Sequence, residues 1–220
     1  MDELRAIDPL GAGWLAGVVL LACGALAWVN LTAPKQWEVL LHSFASVRLG
    51  KQRVRAELDL SDRNLALLLL TAILLIGVFA YEVSYFQGWG AAGLPAFGQV
   101  LLVTAIVVVA QMVLLRVIGS MAGADGGLEE YLRTVVVLNV GLGLALLPLA
   151  VAMAWPAWVA WRTPVCIAGL MLAVAVLLFR WVRAVAIGLG HGTPVRYVFI
   201  YLCAAEAMPF ALALHYAGFL

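Results

Sequence analysis

Asn64-Leu-Ala-Leu-Leu-Leu-Leu-Thr-Ala-Ile-Leu-Leu-Ile-Gly-Val-Phe-Ala-Tyr-Glu-Val-Ser84 has one charged residue, Glu82, in its 21 positions. As an α-helix it is about 31 Å long at ~1.5 Å per residue, which matches the hydrocarbon core of a bilayer. Lipid cannot satisfy open backbone groups, so such a segment crosses the membrane as a helix. Five further stretches read the same way: residues 11–30, 96–119, 134–154, 163–180 and 197–220. Gly88-Trp89-Gly90 to Pro95, Gly123 to Gly127, Trp155-Pro156 and Gly188 to Pro194 mark the joins. The expected fold is all-α: one membrane domain over residues 1–220, a polytopic bundle of six transmembrane helices plus one interfacial amphipathic helix.

Composition agrees. The chain is 65% hydrophobic and 11% charged, against about 25% charged residues in a soluble domain. Mean hydropathy is +1.06. Too little polar surface is present to cover a globule, so the lipid bilayer is part of the solvent. The net charge of +1 offers no field for nucleic acid. Cys23, Cys166 and Cys203 fall inside apolar runs, where cysteine behaves as a small hydrophobe. His42, His191 and His215 stand far apart, and no Cys/His spacing suits zinc, so neither metal nor cofactor is expected. Leu20-Leu21-Ala22-Cys23 is close to a lipobox, but Asp2, Glu3 and Asp8 precede it with only Arg5. That start argues for an uncleaved first span over a signal peptide.

Residues 31–63 differ in kind. They contain Lys35, Arg48, Lys51, Arg53, Arg55 and Arg63, with Trp37, Leu40, Leu41, Phe44 and Val47 at helical spacing. A basic amphipathic helix of this type lies in the membrane interface or packs on the ends of the bundle. Six basic residues in this loop, Arg116 and Arg133 around the third connection, and Arg180, Arg183 and Arg196 in the fifth set the orientation. Loops one, three and five are expected in the cytoplasm and both termini outside, in a bacterial inner membrane. Trp14, Tyr85, Trp89, Trp155, Trp158 and Trp161 mark the outer boundary; Trp28, Trp181 and Tyr197 mark the inner one.

The main site candidate is Glu206, since an ionisable group at mid-membrane costs roughly 2.5–3.5 kcal/mol and needs a partner or a purpose. The ~1.5 Å rise puts it about 13 Å from the cytoplasmic boundary, with Gln111 about 12 Å, Asn139 about 7–8 Å and Arg116 near 5 Å deep. The four form one intramembrane polar cluster where spans three, four and six meet. Such a cluster serves as glue between helices or as a proton or ion site. Pro209 breaks the helix beside Glu206, leaving the Ala205 carbonyl free. Cys203, Ala207 and Ala211 recur every four positions as a helix-packing face, with Gly141 and Gly143 as a counterpart in span four. Glu82 reads as an interfacial carboxylate.

No catalytic residues stand out. Glu129-Glu130-Tyr131-Leu132-Arg133 faintly resembles the paired-glutamate motif of prenyl-protein-type intramembrane peptidases, but the arginine is one place early and spans two to five hold no histidine. Acidic residues at a helix start suit the macrodipole without any reaction. Gly119-Ser120-Met121 lacks the glycine after a rhomboid-type serine, and Asp125 has no second intramembrane aspartate.

The tail Tyr201-Leu202-Cys203, Glu206 and Pro209 resembles the Tyr-Leu-Cys–x–x–Glu–x–x–Pro ending of an uncharacterised bacterial membrane family, domain of unknown function 4271. Gly126-Gly127 through Arg133 to Pro148 is more loosely similar to Yip-type membrane proteins, which have five spans. The first resemblance imports no activity; the second implies a trafficking or scaffold role. The expected function is a non-catalytic subunit, scaffold or assembly factor, with a membrane-protein partner or a homo-oligomer. The alternative is a small transporter or proton-coupled channel using Glu206.

Overall fold

A computed structural model describes residue 10, residues 13–35, 37, 38, 40, 63–121 and 128–190. Among these, every regular element is helical: α1 (Gly13–Thr32), α2 (Arg63–Phe86), α3 (Leu94–Met121), α4 (Leu128–Ala154), a 3-10 turn (Pro156–Trp161) and α5 (Arg162–Gly190). All five α-helices are long and apolar enough to cross a membrane. The expected sixth span, 197–220, lies outside the described residues, as do Leu41 and Phe44 of the amphipathic segment.

α2 and α4 form the centre, each more than half buried, while α1, α3 and α5 keep most of their surface outward. Small residues make this possible. Gly143 of α4 sits on Ala72 of α2, Gly77 of α2 receives Leu101 of α3, and Gly169 of α5 lies under the Phe79 ring of α2. Glycine lets backbones approach where no hydrophobic drive separates helix from lipid. The polar side chains of Thr71 and Thr134 are satisfied within their own helices, donating to the carbonyls of Leu67 and Glu130.

At one end of the bundle, Tyr81 meets Trp14 and Phe97 edge to face while Trp14 and Phe97 are tilted at 47°, with ring centroids 5.4–5.8 Å apart, joining α1, α2 and α3. α2 ends there in a Schellman turn: the Trp89 N–H donates to the Ser84 carbonyl and that of Gly88 to Tyr85. Gly88 supplies the positive φ of 74°. The Gly93 N–H then donates to the Tyr81 hydroxyl, tying the α2–α3 loop to the core. At the opposite end, Leu40 is buried and Trp37 half-buried against Val29, Leu65, Leu68 and Val137. The start of the amphipathic segment therefore packs on the ends of α1, α2 and α4.

Two helices run past the apolar stretches that mark them in the sequence. α5 runs to Gly190, ten residues past 180, and α4 begins at Leu128. The apolar run stops at Arg180, but Arg183, Ala184, Ile187 and Gly188 continue one buried face of the same helix. Arg180 and Arg183 are thus bundle residues rather than loop charges.

Candidate functional site

Buried charge gathers at both ends of the bundle, each time beside α4 and α5. At the Tyr81 end, Glu82 projects from α2 about 6 Å before the helix stops, on the ~1.5 Å rise. Its relative exposure is 0%. Both carboxylate oxygens are buried without a hydrogen bond among the described residues. The cation whose field reaches it is Arg162, the first residue of α5, itself buried. The Arg162 Nε donates to the Met153 carbonyl at 2.9 Å, fastening the corner where α4 passes through the 3-10 turn into α5. Isolated buried ions are strongly penalised, and the Arg162 field offsets part of the cost of enclosing Glu82.

At the other end, Arg183 (0% exposed) and Arg180 project from α5 toward α4, where Glu130 and Tyr131 are buried. The Arg180 Nε donates to the Tyr131 hydroxyl at 3.4 Å. Glu130 is the carboxylate acting on Arg183. Leu115, Leu132, Val135, Ala184 and Ile187 close around them. Four polar side chains on two facing helices thus register α4 against α5.

The residues singled out from sequence meet different fates. Gln111 and Asn139 are buried, on the neighbouring helices α3 and α4, and neither amide nitrogen has a partner among the described residues. Arg116 is exposed on α3. Glu206, Pro209, Cys203, Ala207 and Ala211 lie outside the described residues. Gly143, expected to face the last span, is occupied by Ala72. Glu82, read as interfacial, is fully enclosed.

Sequence reasoning passed over the Arg180–Arg183 pair, although a spacing of three puts both on one helical face. Nothing in the sequence joins Glu82 to Arg162, because the contact depends on which helices are neighbours.

Among the described residues no three His, Cys, Asp or Glu side chains gather as metal ligands. Cys166 is a free thiol in the core and Cys23 a free thiol facing outward. No curated protein and no solved structure matches the chain. The family described as Domain of unknown function (DUF4271) matches residues 15–217, a range that takes in all five helices but the first two residues of α1, and both charged centres. The chain belongs to that family.

Proposed function

We propose that this protein is a non-catalytic subunit, scaffold or assembly factor of a membrane complex, sitting in a bacterial inner membrane with its termini outside and loops one, three and five cytoplasmic. One observation supports the reading most. Gly13, Gly17 and Gly24 lie on one face of α1, and the space where each Cβ would stand is open, with nothing within 4 Å. At 100° per residue the three lie within about 40° of one another, with the exposed Leu20 between Gly17 and Gly24 on the same face, so a second helix can approach over the glycines and pack around that leucine. The buried charges suit the same role, since they lock helix positions within the subunit.

The test is to extract the tagged full-length chain gently and identify what comes with it by mass spectrometry. A stoichiometric partner, or a homo-oligomer, that is lost in Gly17→Leu is expected. A monomer that emerges alone would overturn the reading.

A second reading rests on Gln111 and Asn139, whose buried NH2 groups can donate to a carboxylate. With Glu206 and Arg116 they would form a proton or ion site in a small transporter. Glu206→Gln should then abolish proton-coupled flux in liposomes while leaving partner binding intact. Flux that persists in this variant removes the transport reading.

A further inference from the structure

A groove of about 200 Å³ opens between α2, α3 and α4 at the Arg63 end. Leu69 of α2, Met112 and Val113 of α3, and Leu132 and Val136 of α4 line it, and Arg116 is the charged side chain among its lining residues. We propose that this groove binds an anionic glycerophospholipid, one acyl chain lying between the three helices and the headgroup phosphate on Arg116.

Two features select this occupant. The first is position. Arg116 stands five residues before the end of α3, about 7.5 Å along the axis on the ~1.5 Å rise, with Met112 and Val113 about one turn nearer the helix centre, where the chain would run. The second is charge. Arg116 is exposed and has no ion-pair partner among the described residues, so its guanidinium is available for bidentate contact with phosphate oxygens. Basic pockets between transmembrane helices bind anionic headgroups on the cytoplasmic side, which is where the proposed orientation puts this end. The inference rests on the scaffold reading and its orientation, because the transporter reading engages Arg116 with Glu206.

The experiment uses the full-length chain in phosphatidylcholine nanodiscs doped with a minor fraction of phosphatidylglycerol. Native mass spectrometry then counts the lipids retained on release. Wild type should keep phosphatidylglycerol in preference to phosphatidylcholine. Arg116→Gln should lower that retention about fivefold, the factor corresponding to one basic residue's attraction for an anionic surface. Val113→Trp, which fills the groove and leaves Arg116 in place, should lower it likewise. Both positions are exposed, so thermal midpoints should stay at the wild-type value and separate lost binding from lost folding. Equal retention of the two lipids by wild type, or unchanged retention in both variants, would overturn the proposal. So would a protein partner seated there with no lipid retained.

Discussion

Gly143 of α4 lies so close to Ala72 of α2 that a Cβ added to it would stand 2.6 Å from the Ala72 Cα. The obstacle is backbone, which cannot rotate away as a flexible side chain would. This is the crossing point of the two most buried helices.

Gly143→Ala should therefore destabilise the protein by about 1–3 kcal/mol, the usual range for overpacking a filled interior. Gly24→Ala is the matched control, since its added methyl meets nothing within 4 Å. It should be neutral or gain up to ~1 kcal/mol from helix propensity. Thermal midpoints in mild detergent check both; a Gly143→Ala protein as stable as wild type would mean that α2 and α4 do not cross here.

Arg162 and Glu82 should be energetically coupled. Arg162→Met removes the field that acts on Glu82 and the hydrogen bond to the Met153 carbonyl, and should cost about 1–3 kcal/mol. Combining it with Glu82→Met should recover a large part of that loss, because the uncompensated group is gone. A double-mutant cycle measures the coupling directly. Strict additivity would show that the two charges do not act on one another.

Arginines at the Arg183 end should divide by burial. Arg183→Met should cost about 3 kcal/mol, since Glu130 would lose the opposite charge enclosed with it. Arg116→Met, at an exposed position, should stay within about 0.5 kcal/mol of wild type. Chemical unfolding of the two variants side by side gives the comparison; equal losses would contradict the burial difference.

The helices were legible because lipid imposes a rule on every residue of a span, and long apolar runs such as residues 64–84 have few other solutions. Ends were less legible where charge faces protein instead of water. Hydropathy stops at Arg180, yet Arg183 is enclosed and α5 goes on to Gly190. The polar groups were legible one at a time and illegible as partners. Gln111 and Asn139 announce themselves as amides in apolar runs, and both are buried. Glu82 looked peripheral, because its place near a helix end does not reveal that α5 begins beside it with Arg162.

The corner held by Arg162 also sets an order on biogenesis. Ribosomes deliver Glu82 first, then the whole of α3 and α4, and only afterwards the cation that acts on it. During that interval α2 carries an acid whose cation has not yet been made. Closure of the Tyr81 end is thus a late step: it completes only once the α4–α5 corner is in place. Nascent chains stalled before residue 162 should accordingly remain open to quality-control proteases that the finished bundle resists.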